Sequence, residues 1–373
     1  MRKITPTKEG WSQMMHMMGG RTFDYDRYWE TEDCRWFTDA YDFFLNKEPS
    51  REEMRSYWQQ YEKGLICTYH GNRETPEDYW ASYVPLSAGD GKRKYPMILL
   101  LHGSNNEIEM AQCYGILQLA AREEIITIVP TNENEDYLLK LIGHAIKEYP
   151  VDVSRIYAVG FSMGAFRCSA MGIQHPELFA GLGLGGMVSA GEVKAFTDLG
   201  VSYPDITLTQ AQIDRAAALN MAICLIVGEE EFIDLIPLYH EDYVLPGIQV
   251  DLSAGKKYQT IQLYREMGGC KRTCPESYTE ETLRDADEVT RRLGFPFERR
   301  EIRQYNGRAY YVGDSTDADG NCRFRMIGVE GQLHLPSLAF PGLVWEHISR
   351  FSRDPVTHKL QDLPQEVTGC GGE

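Results

Sequence analysis

The sequence predicts an α/β protein with a mostly parallel central sheet and helices packed on both of its faces. Short apolar runs of strand length recur along the 373-residue chain, and amphipathic helical patterns lie between several of them. Apolar runs of this length suit strands that are buried on both faces. Their alternation with helices is typical of parallel sheets, because parallel neighbours need a long crossover connection.

Each strand is predicted from an apolar run, and each helix from apolar residues that recur every three or four positions. The helical spacing is clear over 137–149 and again near the end of the chain, over 340–351. The predicted strands are Trp80–Leu86, Tyr95–Leu101, Ile125–Val129, Ile156–Gly160, Leu182–Gly185, Ala222–Gly228 and Phe324–Val329.

The polar stretch Asp314–Asn321 is predicted to be the turn of a β-hairpin between Ala309–Val312 and Phe324–Val329. A calcium-binding loop is the alternative for this stretch. It lacks the D-x-D-x-D-G spacing and the distal glutamate of such loops, so the hairpin is favoured.

The chain is predicted to contain one main α/β domain, residues 77–355. Residues 1–76 are rich in Met, Trp, Tyr and Phe, and they are predicted to form a helical extension. A surface for homo-oligomerisation is the alternative for this extension, since aromatic residues are enriched at interfaces. Residues 238–300 are polar and charged, which favours a cap-like insertion over the carboxyl edge of the sheet, where substrates enter such folds. Residues 356–373 are predicted to be a flexible tail.

The composition disfavours several classes of partner. The net charge is −17, from 55 acidic and 38 basic residues, and phosphate-rich nucleic acids require basic surfaces. The chain shows neither an apolar run of transmembrane length nor the apolar segment of a signal peptide, so we expect a cytoplasmic protein without a membrane partner. The nine cysteines lack metal-binding spacing, so we expect free thiols and no metal site.

The most informative motif is Gly160-Phe161-Ser162-Met163-Gly164, which follows a predicted strand and precedes a predicted helix. Gly-x-Ser-x-Gly in this context is typical of a nucleophile elbow, in which small residues let the backbone bend sharply. The serine hydroxyl then stands at a helix N-terminus, where amide groups and the helix dipole favour developing negative charge. We therefore predict that Ser162 is a nucleophile, and a Gly-Ser turn without chemistry is the alternative.

A serine that attacks an acyl carbon needs N–H donors for the resulting oxyanion. One predicted donor is the backbone N–H of Met163, directly after the nucleophile. The other is the N–H of Ser104, in the loop after the strand Tyr95–Leu101. The same loop contains His102, which we expect to orient the loop rather than to take part in catalysis.

The general base is predicted to be His334, which follows the last strand and precedes the last amphipathic helix. In this architecture the acid and then the histidine follow the serine along the chain. The acid is therefore expected after the strand Ala222–Gly228, where the sequence favours Glu231 over Asp234 without excluding either. The other charges of this acidic run are expected to be solvated.

In this order the motifs resemble the polyhydroxybutyrate-depolymerase-like and feruloyl-esterase-like branch of the α/β-hydrolases. The resemblance implies an α/β-hydrolase fold and cofactor-independent hydrolysis of a carboxylic ester through an acyl-enzyme. By resemblance, Ser162 is the nucleophile, His334 is the base, and an acid after the preceding strand orients that base. The resemblance covers 78–355 and rests on His-Gly-Ser at 102–104, Gly-Phe-Ser-Met-Gly-Ala at 160–165, His-Pro-Glu-Leu-Phe-Ala-Gly at 175–181, Met-Gly-Gly-Cys at 267–270 and His-Leu-Pro at 334–336.

The sequence departs from this family at two places. Around His334 it lacks the tryptophan of the usual Gly-His-x-Trp-Pro, and the favoured acid is Glu rather than Asp. We expect an esterase that acts on a small or medium acyl ester. A peptidase or amidase with the same triad is the second hypothesis, because the sequence does not separate ester from amide cleavage. A non-catalytic binding protein that retains the fold is the third.

Overall fold

The structure is a computed structural model of the chain. It describes residues 63–72, 74–103, 114–186, 209–230, 254–270, 285–333 and 336–364, together with the single positions 50, 52, 53, 56 and 108. Most of the predicted extension, including the aromatic segment for which homo-oligomerisation is an alternative, lies outside the described residues.

One sheet runs through the described part of the chain. Its strands are β1 (Leu65–His70), β2 (Trp80–Pro85), β3 (Tyr95–Leu101), β4 (Ile126–Pro130), β5 (Val151–Phe161), β6 (Gly181–Gly185), β7 (Ala222–Glu230), β8 (Arg299–Tyr305), β9 (Arg308–Thr316) and β10 (Cys322–Leu333). The order across the sheet is β1-β2-β4-β3-β5-β6-β7-β10-β9-β8. The six strands from β4 to β10 in this order are parallel, and the strands at both margins pair antiparallel.

Helices cover both faces of this sheet. They are α1 (Ile116–Glu123), α2 (Glu135–Glu148), α3 (Met163–Gln174), α4 (Gln210–Leu219), α5 (Ala254–Met267), α6 (Glu288–Leu293) and α7 (Phe340–Ile348). Side chains of α2 to α6 pack into one apolar cluster, and those of α1 and α7 pack into a second. Among the helices of the described ranges, none is long and apolar enough to cross a lipid bilayer.

The central strands explain why two clusters form. In β3, Met97, Leu99 and Leu101 face the first cluster, whereas Ile98 and Leu100 face the second. Successive strand residues point to opposite faces, so a continuous apolar run must be covered on both. The predicted fold class is confirmed: the chain has an α/β-hydrolase fold, with a mostly parallel sheet between two helical layers.

The predicted hairpin between the last two strands of the sheet is also confirmed. β9 and β10 pair antiparallel, with Asp314 opposite Arg325. At the turn, the Asp317 carboxylate accepts hydrogen bonds from the N–H groups of Asp319 and Asn321, both at 2.9 Å. These bonds within the turn stabilise the reversal of the chain.

β1 lies among the residues predicted to form a helical extension, yet it is an edge strand of the main sheet. Leu65 pairs with Pro85 and His70 pairs with Trp80. The His70 ring stacks on the Trp80 ring with centroids 3.7 Å apart, and its Nε2 lies 2.9 Å from Ser82 Oγ. The sheet therefore begins before the predicted domain boundary.

The described part of the predicted insertion, residues 254–270 and 285–300, packs on a face of the sheet. The other residues of 238–300 lie outside the described residues, so the cap over the carboxyl edge stays a prediction. The Tyr264 hydroxyl of α5 donates to Ser169 Oγ of α3 at 2.9 Å. Arg265 is fully buried and pairs with Glu298 at 2.7 Å. These helices pack on the sheet because each has an apolar side, although the surrounding sequence is polar. The apolar side chains are Ile261, Tyr264, Met267, Val289 and Leu293.

The first part of the predicted flexible tail, 356–373, is ordered. Two short strands, β11 (Phe351–Arg353) and β12 (Leu360–Asp362), pair antiparallel. Leu360 is buried against the second cluster, and Asp362 forms an ion pair with Arg323 at 2.7 Å. These contacts tie the chain to the domain through residue 362.

Candidate active site

Ser162 occupies the turn between β5 and α3, at the carboxyl edge of the sheet, and its side chain is partly exposed. Its backbone has φ 55° and ψ −124°, a conformation that costs a non-glycine residue on the order of 1–3 kcal/mol. Two hydrogen bonds hold it: the Ser162 N–H donates to the Gly185 carbonyl at 2.8 Å, and the Ser162 carbonyl accepts from the Ala165 N–H at 2.9 Å. This is the backbone geometry that the motif predicts for a nucleophile elbow.

Gly160 and Gly164 allow this turn because the chain passes itself at backbone contact distance. A Cβ on Gly160 would lie 2.9 Å from the Ala165 nitrogen, and a Cβ on Gly164 would lie 2.7 Å from the carbonyl carbon of Leu101. Real Cβ atoms essentially never come closer than 3.0 Å to such atoms. The elbow therefore packs directly on the end of β3, and only glycine fits at the two positions.

The first turn of α3 provides candidate donors for an oxyanion. Met163 is the first residue of this helix, and the N–H groups of a first turn have no acceptor within the helix. These groups and the helix dipole favour a negative charge beside Ser162. The residues from Gly164 to Gln174 are buried, so the helix that carries these donors is fixed against the sheet.

The loop after β3 reaches the elbow at Gly103. A Cβ on Gly103 would lie 3.5 Å from Ser162 Cβ and 3.3 Å from the Tyr114 hydroxyl oxygen. The next residue in the sequence, Ser104, lies outside the described residues. Its role as the second oxyanion donor stays a prediction.

His102 ties this loop to the segment that follows β4. It is 1% exposed, with Nδ1 2.8 Å from the Gly103 carbonyl oxygen and Nε2 2.8 Å from the Thr131 carbonyl oxygen. Its backbone N–H donates to Glu133 Oε1 at 2.7 Å. Because both ring nitrogens face carbonyl oxygens, this arrangement suits the loop-orienting role predicted for His102.

Glu133 is a mostly buried charged residue beneath the loop, and the sequence analysis did not point to it. Burial raises the pKa of the Glu133 carboxyl, while the His102 side chain, the His102 N–H and the Arg167 charge favour its ionised form. Arg167 belongs to α3 and is 3% exposed. The elbow helix and the loop after β3 therefore share one buried charge cluster, which depends on all its members because unpaired buried charges are costly.

The strands that lead to the predicted acid and base end side by side. β7 and β10 are parallel neighbours, and Leu333 pairs with Glu230 at their carboxyl ends. The next residues in the sequence are His334 and Glu231. These two and Asp234 lie outside the described residues, so their catalytic roles stay predictions.

Glu229 is the member of the acidic run whose side chain the structure describes, and for this residue the expectation of a solvated charge is wrong. Its side chain is 11% exposed and forms an ion pair with Arg292 of α6. Its Oε2 accepts the Gly331 N–H of β10 at 2.8 Å. The position of Glu229 at the end of a predicted buried strand was a signal that its side chain is buried. Its charged partner, Arg292, lies far along the chain and could not be identified from the sequence.

Comparisons with known proteins add the following findings. No protein-family model and no curated protein matches the chain. Among solved structures, it is similar to an acetyl xylan esterase from Aspergillus awamori, with 15% identity and a TM-score of 0.44 over 74% of this chain and 99% of that one. It is also similar to a thermostable esterase, with 16% identity and a TM-score of 0.35 over 56% of this chain and 52% of that one. A ferulic acid esterase is similar at 13% identity and a TM-score of 0.34, over 44% of this chain and 78% of that one. The match thus spans about half the length of the thermostable esterase.

Proposed function

We propose that the protein is a serine esterase that cleaves a carboxylic ester of a small or medium acyl substrate through an acyl-enzyme. The observation that carries the proposal is the Ser162 backbone, held at φ 55° in a turn between a strand and a helix. Strained residues of this kind persist only where the surrounding structure holds them, and they cluster at functional sites. A simple reversal of the chain requires neither a strained serine nor two glycines in backbone contact.

In the proposed reaction, Ser162 Oγ attacks the acyl carbon while His334 takes the hydroxyl proton. The carbonyl oxygen becomes an oxyanion, which accepts hydrogen bonds from the N–H groups of Met163 and Ser104. The C–O bond to the alcohol breaks as His334 gives its proton to the leaving oxygen. Water then attacks the acyl-enzyme and gives a proton to His334, and the acid leaves as that proton returns to Ser162.

Glu231 or Asp234 is proposed to orient the base by accepting a hydrogen bond from it. The contacts of Glu229 support this choice, because its two carboxylate oxygens already bind Arg292 and the Gly331 N–H. No step of the proposed reaction needs a metal or an organic cofactor. The cytoplasmic location, the absence of nucleic-acid and membrane partners and the homo-oligomer stay predictions from the sequence.

The aromatic side chains around the elbow support an apolar acyl group. The Tyr114 ring lies 5.6 Å from the Phe161 ring, and the Phe161 ring lies 6.1 Å from the Phe340 ring. All three are nearly fully buried. The side of the elbow that carries these three rings is therefore apolar, which favours an uncharged acyl chain over a charged one.

A fluorophosphonate probe and a short-chain nitrophenyl ester test the proposal. We expect the probe to label wild-type protein at Ser162 and the ester to be hydrolysed, while Ser162→Ala abolishes both. Ser154→Ala is the matched control, since Ser154 lies on the same strand and its hydroxyl binds Asp152 at 2.6 Å. Wild-type protein that neither reacts with the probe nor turns over the ester would contradict the proposal and favour the non-catalytic alternative.

Paired ester and anilide substrates with the same acyl group separate the esterase from a peptidase or amidase. We expect kcat/KM to be much higher for the ester. Glu231→Ala and Asp234→Ala then identify the acid, because removing the residue that orients the base lowers kcat by several orders of magnitude, about 10⁴-fold in the best-studied triad. Higher kcat/KM for the anilide than for the ester would contradict the esterase proposal and favour an amidase that uses the same residues.

A further inference from the structure

The end of β10 has an irregular register next to the proposed active site. Val329 pairs with Gly228 of β7, and the following pair is Leu333 with Glu230. Three residues of β10 therefore lie opposite a single residue of β7. Such irregularities bend a strand and re-aim the chain, and they are over-represented next to active sites.

Two of the three residues are held from the side of β9. The Glu330 carboxylate accepts the Ala309 N–H at 3.0 Å. The Gln332 side-chain oxygen accepts a hydrogen bond from Arg308, and both of these side chains are buried. The irregular segment is therefore tied to the neighbouring strand at both of its ends.

The middle residue, Gly331, is held from the side of β7 by Glu229. Gly331 has φ 56°, a conformation that favours glycine, and its N–H donates to Glu229 Oε2 at 2.8 Å. The other carboxylate oxygen pairs with Arg292, whose guanidinium lies 5.2 Å from the Tyr311 ring centroid. One carboxylate thus joins β7, β10 and α6.

We propose that Glu229 is a positioning residue for the general base of the proposed reaction. By holding the Gly331 N–H, it fixes the bend at which β10 leaves its regular register, and this bend sets the course of the chain into His334. Arg292 holds the Glu229 carboxylate in place through their ion pair, because a mostly buried carboxylate needs a paired charge. The inference rests on the proposed function of His334 as the base.

The distance between the bend and His334 determines the size of the expected effect. Gly331 precedes His334 by three positions, so a local shift of the strand end is passed on to the base. A displacement of about 1 Å of a catalytic group lowers turnover about 100-fold. Binding of the ester should change little, since Glu229 does not contact substrate in this proposal.

The test compares Glu229→Ala with Glu229→Gln and with Glu298→Ala. Glu229→Ala should lower kcat for the nitrophenyl ester about 100-fold with KM within about twofold of wild type. Glu229→Gln keeps an oxygen acceptor for the Gly331 N–H, so it should recover at least about tenfold of that loss, because part of the bend is retained. Glu298→Ala is the control, because it breaks the partly buried pair with Arg265, near the start of β10 and away from the proposed site. It should lower stability but leave kcat within about twofold of wild type.

Hydrogen exchange provides a readout that does not depend on activity. The peptide covering 329–333 should exchange faster in Glu229→Ala than in wild type, and at the wild-type rate in Glu298→Ala. Circular dichroism establishes that each variant is folded, and if Glu229→Ala does not fold, the glutamine variant and Arg292→Lys replace it.

The outcomes separate this inference from the proposed function. Wild-type protein that is labelled and active, together with a Glu229→Ala variant of unchanged kcat, would overturn the inference alone. Equal losses of kcat in Glu229→Ala and Glu298→Ala would overturn it too, because the effect would then be one of general stability. Wild-type protein that is neither labelled nor active would overturn both.

Discussion

Replacing Gly164 by alanine should weaken the elbow even though it improves the helix. Alanine is favoured over glycine by up to about 1 kcal/mol in a helix, and Gly164 lies in the first turn of α3. The new methyl group would lie 2.7 Å from the Leu101 carbonyl carbon, whereas contacts between such atoms are favourable only at about 3.5–4.0 Å. α3 and the end of β3 must therefore separate by about 1 Å, and overpacking of this kind costs about 1–3 kcal/mol. The Leu101 and His102 carbonyl oxygens are closer still, so we expect a net loss of about 2 kcal/mol.

Gly143→Ala is the matched control for this substitution. Gly143 lies within α2, and a Cβ there would meet nothing within 4 Å, so this variant should gain about 1 kcal/mol. Urea unfolding followed by circular dichroism measures both free energies. In the ester assay, Gly164→Ala should lose about 100-fold in kcat because the elbow moves relative to the loop after β3. A Gly164→Ala variant as stable and as active as wild type would refute the argument from backbone contact.

Two further predictions concern buried titratable groups. Burial lowers the pKa of His347 from 6.5 to about 3, so its contribution to stability is present above pH 6.5 and is lost as the pH falls towards 3, because only the unfolded chain binds the proton. Between about pH 7 and pH 5 this loss amounts to about 2 kcal/mol. Urea unfolding at both pH values should show that His347→Gln removes this part of the pH dependence and that His358→Asn, at an exposed position, does not. The same change of unfolding free energy with pH in wild type and both variants would contradict the prediction. Glu133→Ala removes the acceptor of the His102 N–H, so it should lower the free energy of unfolding by about 2 kcal/mol and lower kcat about tenfold at unchanged KM through the loop after β3. Glu123→Ala, at an ion pair between exposed side chains, should do neither, and a Glu133→Ala variant with wild-type kcat would exclude the loop from the proposed mechanism.

The elements that the sequence predicts well are those that obey a local rule. Every residue of β3 is buried. Burial of a continuous apolar run is favourable regardless of which strands lie beside it. α2 has apolar residues at helical spacing and begins after Asn134, whose side chain accepts the Asp136 N–H at 3.1 Å. The elbow is predictable for the same reason, because Gly160, Ser162 and Gly164 are neighbours in the sequence.

The elements that the sequence analysis did not place depend on partners that are distant in the chain. β8 has the sequence Arg-Arg-Glu-Ile-Arg-Gln-Tyr and is mostly exposed, so it shows no apolar run. Its strand form comes from pairing with β9, since strand preference depends strongly on context. In the same way, Asp362 orders the last described residues through its ion pair with Arg323.

The sequence by itself determined the α/β class and the position of the tight turn at Ser162, because steric limits and periodicity operate between neighbouring residues. The tertiary structure decided which charges are buried and which elements they connect. Glu229 is indistinguishable in sequence from the other acids of its run, and only the folded chain brings Arg292 and the Gly331 N–H to its carboxylate. A buried charge is stable only beside partners that folding supplies, so its role cannot be predicted from its neighbours in the sequence.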